Sequence, residues 1–147
     1  YMNLLVKSPN TQHPTPNTQL SISGSKSETN RLLLLQALFP NIQLENTSNS
    51  DDSEVMTKAL NSSDEVLDIH HAGTAMRFLT AYFSIQEGRE VVLTGSQRMQ
   101  ERPIKILVDA LRQLGAEITY EKNDGYPPIR IKGKKITQNH ENCCNHL

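Results

Sequence analysis

The chain has 147 residues, of which 15 are basic and 16 acidic, and its formal net charge at pH 7 is -1. This balance removes the usual electrostatic argument for a nucleic-acid or anionic-membrane partner, so any anion site must be local. The length fits one domain, and no apolar run approaches the roughly 18 residues of a membrane helix. No signal-peptide pattern is seen, so we expect a cytoplasmic protein without a membrane span.

The N-terminal part of the sequence predicts a short strand followed by a linker. Residues 2–7 alternate weakly between apolar and polar side chains, and the Pro-, Asn-, Thr- and Gln-rich segment 8–19 has little to bury. We therefore divide the chain into an N-terminal strand and linker over 1–19, a main body over 20–135 and a divergent tail over 136–147.

The main body opens with a turn and a helix start. Leu20 and Ile22 alternate as the end of a strand, and Ser25 and Glu28 have the spacing of a capping box. The apolar run 32–39 predicts a buried helix after this start.

The same helix start carries three groups that can bind an anion. Lys26 and Ser27 lie at its mouth, and Arg31 lies one turn beyond Ser27 on the same helix face. Ammonium, hydroxyl and guanidinium groups can therefore converge on one anionic ligand beside free backbone N–H groups. A solvated, well-capped helix start explains the spacing equally well.

A second strand and helix are predicted next. Residues 42–46 alternate as a strand, and Asp51, Asp52 and Glu54 then begin a helix that runs through Leu60. Carboxylates at a helix start complement its dipole and need no ligand to explain them.

A further strand, predicted over Glu65–Ile69, leads into a small Gly-containing turn. Thr74 offers a hydroxyl at the cap position of the next helix. Arg77 either lines an anion pocket or ties this helix to a neighbouring carboxylate, and the residues leave both alternatives open. A metal site at His70 and His71 is disfavoured because adjacent residues at a strand end point to opposite faces.

The next strand, Glu90–Thr94, is followed by a Gly-Ser turn and a fourth helix. Pro103 suits the first helical position, and Gly115 suits the end of the helix. Arg98 and Arg102 lie beside the helix start, where the positive dipole end repels them unless an anion is bound. This placement favours an anion site.

Residues 117–121 and 129–132 predict a closing hairpin. Alternating strands and helices indicate an α/β architecture in which helices pack on a sheet. Several positive helix starts can then face one cleft and bind a multiply charged small molecule.

Cys143 and Cys144 are the only cysteines, and they are adjacent in the tail. Two adjacent cysteines do not indicate a set of structural disulfides, and such a cysteine content suits a reducing compartment. A metal site that combines them with His140 and His146 is disfavoured because vicinal cysteines rarely chelate one ion together.

Four segments, GSKSETNR, HAGTAMRF, LTGSQRMQERPIKILVDALRQLGA and YPPIRIKG, resemble the first part of the 5-enolpyruvylshikimate-3-phosphate (EPSP) synthase family. The resemblance covers roughly residues 18–135. It implies part of an inside-out α/β barrel of βαβαββ repeats. It also implies transfer of an enolpyruvyl group from phosphoenolpyruvate to the 5-hydroxyl of shikimate 3-phosphate, by a monomer without metal or organic cofactor.

The resemblance also implies roles for five residues. Lys26 would contact both substrates, while Ser27 and Arg31 would hold shikimate 3-phosphate. Gly73 would bring its backbone against phosphoenolpyruvate, and Arg102 would grip the anionic groups of that ligand. The Asp, Glu and Lys that handle protons in the family are expected in a later part, so no catalytic residue is assigned here.

The sequence departs from the family pattern at His71, where many members have Asn. The related UDP-N-acetylglucosamine enolpyruvyl transferases would show Asn in place of Ser27 and a Cys within 95–102, which this chain lacks. Two hypotheses remain: the substrate-binding portion of an enolpyruvyl transferase, or a catalytically silent phosphate-ligand-binding or interaction remnant.

Overall fold

The computed structural model describes residues 22–136. The predicted N-terminal strand, the linker and the tail with its cysteines and histidines lie outside the described residues. The three-part division of the chain therefore stays a prediction.

The described residues form helices and strands in the following order. They are α1 (Lys26–Leu38), α2 (Asp51–Asn61), β1 (Val66–Asp68), α3 (Gly73–Ser84), β2 (Glu90–Thr94), α4 (Gln97–Gln100), α5 (Lys105–Gln113), β3 (Glu117–Tyr120) and β4 (Ile129–Lys132).

The strands form one four-stranded sheet in the order β1-β2-β4-β3. β1 and β2 are parallel, whereas β4 is antiparallel to both β2 and β3. From β1 onward the chain therefore runs β1-α3-β2-α5-β3-β4, with the one-turn helix α4 inserted before α5. This order confirms the predicted βαβαββ unit, its strands and its closing hairpin.

The core lies between the helices and one face of the sheet. Val91, Ile131 and Ile118 are aligned across three strands and are buried. Met76 and Leu79 of α3 belong to the same buried cluster. Alternate strand residues point away from this cluster and make the opposite face of the sheet polar.

The predicted strand over 42–46 is wrong. These residues form irregular backbone that ends in a bend at Asn46, which has a left-handed φ of 51°. A Cβ added at Gly24 would lie 2.0 Å from the carbonyl oxygen of Asn46, so the two backbones are in direct contact. Ile22 is likewise not part of a strand. Alternation predicted a strand here, but tertiary packing gave these residues a different backbone.

Helix α1 starts where the sequence predicts, but its burial differs from the prediction. Ser25 is the N-cap, and its hydroxyl accepts a hydrogen bond from the Glu28 amide at 3.5 Å. Thr29 and Asn30 are buried, whereas Leu32 and Leu35 are about two-fifths exposed, at 41% and 42%. Successive leucines in this helix point in different directions, so only part of the apolar run can face α2.

Two other helix starts also differ from the sequence prediction. α3 begins at Gly73 without a side-chain cap, so Thr74 is not its capping residue. α5 begins at Lys105 rather than at Pro103, and the amide of Ile104, its N-cap, donates to the carbonyl of Gly125 at 2.9 Å. That contact with the β3–β4 connection sets the start of α5. No helix within residues 22–136 is long and apolar enough to span a membrane.

Candidate anion-binding site

The turns that follow β1 and β2 are joined at the carboxyl ends of these parallel strands. The amide of Ser96 donates to the carbonyl of His70 at 2.9 Å, and the amide of Ile69 donates to the carbonyl of Thr94 at 3.0 Å. His70 has a left-handed φ of 50°, which turns the chain into α3. Helices α3 and α4 therefore start from joined turns, at the edge of a sheet where α/β proteins bind ligands.

Two arginines meet at the backbone of Gly73. A Cβ added there would lie 3.0 Å from Nη1 of Arg102, 3.6 Å from Nη1 of Arg77 and 4.0 Å from Cε of Met99. Nη1 of Arg77 also donates to the carbonyl of Gly73 at 3.1 Å. We call these four residues the Gly73 cluster. Only a residue without a side chain lets both guanidinium groups approach the start of α3 this closely.

The geometry of α4 positions Arg102. Ser96 caps this short helix by accepting from the Met99 amide at 3.3 Å, and Met99 is almost completely buried. The amide of Arg102 then donates to the carbonyl of Met99 at 3.0 Å. The backbone of Arg102 is thus anchored next to a buried residue, while its long side chain stays exposed.

The two arginines of the cluster have no acidic partner in the part of the chain that the structure describes. None of the salt bridges among these residues includes Arg77 or Arg102. Two positive charges beside the positive end of a helix repel each other and the helix dipole. A bound anion would remove this cost and accept charge-assisted hydrogen bonds from both.

The other three predicted site residues lie in the first two turns of α1. Nζ of Lys26 lies 3.1 Å from Oδ2 of Asp52 in α2, and Ser27 and Arg31 are exposed. The structure thus brings Gly73 together with Arg102, and it groups the three α1 residues separately. No hydrogen bond or salt bridge between described residues joins these two groups.

Two residues of the site were not assigned from the sequence. Arg77 was left between two roles, and the structure places it in the Gly73 cluster rather than beside a described carboxylate. Asp52 was assigned only to the helix dipole, yet it contacts Lys26. The sequence held no signal for this pair because its members lie on different helices.

A groove of about 350 Å³ between α1 and α2 lies apart from these groups. Thr29, Leu33, Ser53 and Thr57 are among its lining residues, and none of the five predicted site residues lines it. Within 22–136 no three His, Cys, Asp or Glu side chains are grouped so as to hold a metal ion.

The fold matches a solved enzyme. An EPSP synthase structure from Acinetobacter baumannii superposes with a TM-score of 0.64 and 22% identity, covering 78% of this chain and 31% of that one. A second EPSP synthase structure from the same organism gives a TM-score of 0.65 and 21% identity. This likeness places the chain in the α/β fold class of these proteins.

Sequence comparison identifies the family. Residues 43–142 match the family model for EPSP synthase (3-phosphoshikimate 1-carboxyvinyltransferase), and the chain therefore belongs to this family. A 3-phosphoshikimate 1-carboxyvinyltransferase from Bacteroides fragilis is 52% identical over 119 residues, which are 80% of this chain and 29% of the relative. One from Histophilus somni is 42% identical, with coverage of 80% and 34%. The predicted resemblance is confirmed, and the chain spans about a third of the length of these relatives.

Proposed function

We propose that this chain supplies the part of a 3-phosphoshikimate 1-carboxyvinyltransferase that binds shikimate 3-phosphate and phosphoenolpyruvate. The reaction transfers the enolpyruvyl group of phosphoenolpyruvate to the 5-hydroxyl of shikimate 3-phosphate. The observation that carries the proposal is the meeting of two guanidinium groups at Gly73 without a carboxylate among the described residues. Such a cluster suits a ligand with several negative charges.

In this proposal the two groups of residues bind different substrates. Arg102, together with Arg77 and the backbone of Gly73, binds the phosphate and carboxylate of phosphoenolpyruvate. Planar guanidinium groups suit this task because they can donate two parallel hydrogen bonds to either group. These donors would be in place before the ligand arrives, which orients it for attack by a hydroxyl.

Residues at the start of α1 bind the other substrate. Ser27 and Arg31 hold the phosphate of shikimate 3-phosphate, and Lys26, which is 54% exposed, contacts both substrates. All three lie within two turns of a helix whose N-terminus favours negative charge.

Binding and turnover are separate parts of the proposal. The family resemblance implies that the proton-handling Asp, Glu and Lys belong to a part of the enzyme that this sequence does not include. General acid-base groups contribute roughly a hundred- to ten-thousand-fold to rate. We therefore expect the 147-residue chain to bind substrate without releasing measurable phosphate from phosphoenolpyruvate.

A second candidate is a catalytically silent binding or interaction module. Such a module would bind the same phosphorylated ligand through the Gly73 cluster and the start of α1, but it would catalyse no reaction. The two candidates differ in whether a longer chain with the remaining family sequence turns over substrate. Adjoining coding DNA that continues with the Ser-Ser-Gln segment expected from the resemblance would favour the enzyme.

The test is a titration of the chain with shikimate 3-phosphate and with shikimate at matched ionic strength, followed by NMR or calorimetry. We expect weak binding of shikimate 3-phosphate and much weaker binding of shikimate, because the lost phosphate removes charge-assisted hydrogen bonds. Rising salt should weaken the binding. Equal affinity for both ligands would contradict the proposal and would mean that the start of α1 is a capped helix end without a phosphate site.

The proposal also implies a cytoplasmic protein, and the family resemblance implies that it is a monomer at full length. Its substrates are phosphorylated and carry several charges, so they do not cross membranes unaided and must be used where they are made. Cell fractionation and analytical ultracentrifugation would test these two points.

A further inference from the structure

The first turn of α2 carries three acidic side chains that are not equivalent. The side chain of Asp52 is only 17% exposed, and its Oδ2 lies 3.1 Å from Nζ of Lys26. Asp51 and Glu54 are exposed and form no salt bridge with another of the residues that the structure describes. A carboxylate that only complements a helix dipole needs neither burial nor a partner. The role of Asp52 therefore differs from that of its neighbours.

The start of α2 is fixed against α1, so Asp52 is presented from a well-held turn. The hydroxyl of Ser53 donates to Oδ1 of Asn30 at 3.0 Å, and both residues are buried. Ser53 follows Asp52 directly, and Asn30 lies one helical turn after Lys26. Two neighbouring polar contacts thus join the helices, one buried and one at the edge facing solvent.

We propose that Asp52 is a positioning residue that holds the ammonium group of Lys26 in place for an anionic ligand. The inference rests on the proposed function, since it takes Lys26 to be a ligand-binding residue. A lysine side chain is long and flexible, and ordering it on binding costs affinity. One hydrogen bond to Asp52 orders it beforehand and leaves two N–H groups for the ligand. The lysine remains 54% exposed and therefore accessible.

Two variants separate this role from a general charge effect. Asp52→Asn and Asp51→Asn each remove one negative charge from the same helical turn, which by itself favours a nearby anion. Only Asp52→Asn weakens the contact with Lys26. Both variants share most of the electrostatic gain in affinity, so it drops out when their dissociation constants are compared. The remaining difference measures the loss of Lys26 positioning in Asp52→Asn. Asp52→Glu restores the carboxylate and serves as the rescue variant.

The measurements are NMR titrations of the complete 147-residue chain with shikimate 3-phosphate and, without ligand, the chemical reactivity of the Lys26 amine. We expect Asp52→Asn to bind about three- to tenfold more weakly than Asp51→Asn, the range for ordering one long side chain. Asp52→Glu should recover most of this loss. The reactivity of Lys26 should change in Asp52→Asn and stay at the wild-type level in Asp51→Asn.

Failure of the inference and failure of the proposed function give different results. If the wild-type chain binds and Asp52→Asn binds as well as Asp51→Asn or better, Asp52 does not position Lys26, and the proposed function stands. If the wild-type chain binds no shikimate 3-phosphate, the proposed function is wrong. A Lys26 reactivity that still changes only in Asp52→Asn would then show a purely structural salt bridge.

Discussion

The sheet surface and the Gly73 cluster use arginine in opposite ways. On the polar face of the sheet, Nη1 of Arg130 donates to Glu90 at 2.8 Å and to Glu65 at 3.2 Å, and its Nε donates to Glu121 at 2.6 Å. These hydrogen bonds hold the pKa of Arg130 above its ordinary value, and the one to Glu90 has the largest effect. In the Gly73 cluster two guanidinium groups meet instead, without a carboxylate among the described residues.

Arg112 follows the pattern of the sheet surface. Its Nε and Nη2 donate to the carbonyl of Ile118 at 3.0 and 2.6 Å, and its guanidinium lies 5.0 Å from the centre of the Tyr120 ring. The chain thus provides acceptors for the arginines that join its own elements. In the Gly73 cluster, Arg77 donates one hydrogen bond to the carbonyl of Gly73, and we propose that the remaining donors of Arg77 and Arg102 bind a ligand.

The comparison predicts opposite outcomes for two alanine substitutions, and this is the largest expected effect. Arg102→Ala should weaken phosphoenolpyruvate binding by about 1.5–3 kcal/mol, or at least roughly tenfold, with little change in stability. Arg130→Ala should lower the melting temperature, because three carboxylates that lie in or next to neighbouring strands lose their shared cation, and should leave binding unchanged. Thermal unfolding and ligand titration of both variants would check this.

Arg98→Ala is the matched control for the binding part of this prediction. Arg98 is also exposed and lies on α4, but it is not among the nearest contacts of Gly73. Its substitution should cost little affinity. Equal losses of phosphoenolpyruvate affinity in Arg98→Ala and Arg102→Ala would show that only general positive charge matters here. A lower melting temperature in Arg102→Ala would contradict the distinction between a structural arginine at 130 and a binding arginine at 102.

Two glycines allow the same contrast to be tested on the backbone. A Cβ on Gly95 would lie 2.6 Å from the carbonyl oxygen of His70 and 2.9 Å from Cγ of Met99, and neither can move easily. Gly95→Ala should therefore destabilise the fold by about 1–3 kcal/mol. A Cβ on Gly73 meets the tip of Arg102, which can move away. Gly73→Ala should keep most of the stability and lose affinity for phosphoenolpyruvate.

Urea unfolding of the two glycine variants, together with titration of Gly73→Ala, measures both effects. Comparable destabilisation by the two substitutions would mean that Gly73 is a packing glycine. Unchanged phosphoenolpyruvate affinity in Gly73→Ala would show that the Gly73 cluster does not bind this ligand.

Arg31→Lys gives a smaller effect and tests how shikimate 3-phosphate is held. The substitution keeps the positive charge but removes the planar fork of the guanidinium. A bidentate contact with the phosphate predicts a severalfold loss of affinity, on the order of 1 kcal/mol, whereas simple attraction predicts almost none. Titrations of wild type and variant at the same ionic strength decide between them, and Arg31→Ala sets the scale.

Local patterns predicted the unit from β1 to β4 well. The strands at 65–69 and 90–94 were found because short apolar runs ended at turn residues. Gly115, with a φ of 101°, ends α5 as glycine does at helix termini. Such signals lie within a few residues of the structure they determine, and they need no knowledge of the rest of the fold.

The failed predictions depended on partners far away in sequence. Segment 42–46 alternates like a strand, yet it forms none, and Asn46 at its end contacts the backbone of Gly24. The apolar run did not predict the burial of α1, because the contact between α1 and α2 is polar where Asn30 of α1 meets Ser53 of α2. The pairing of Asp52 with Lys26 spans two helices and leaves no periodic signal. The residues of the site therefore stay a prediction from the family resemblance, and the sequence carried no signal for their contacts.

The smallest effect concerns the phenol beneath Arg112. Burial raises the pKa of Tyr120 above its ordinary value of 10.0, against the opposing effect of Arg112, and its hydroxyl has no partner within residues 22–136. Between pH 10.0 and the raised pKa the unfolded chain loses this proton while the folded chain keeps it, so stability falls as pH rises.

Tyr120→Phe removes this loss and retains the ring under Arg112. Stability at pH 7 should stay within about 0.5 kcal/mol of wild type. The variant should then lose less stability on titration to about pH 11, measured by urea unfolding. Parallel stability profiles for the two proteins would show that the hydroxyl is solvated in solution, while a large loss at pH 7 would mean that it has a partner in the folded chain.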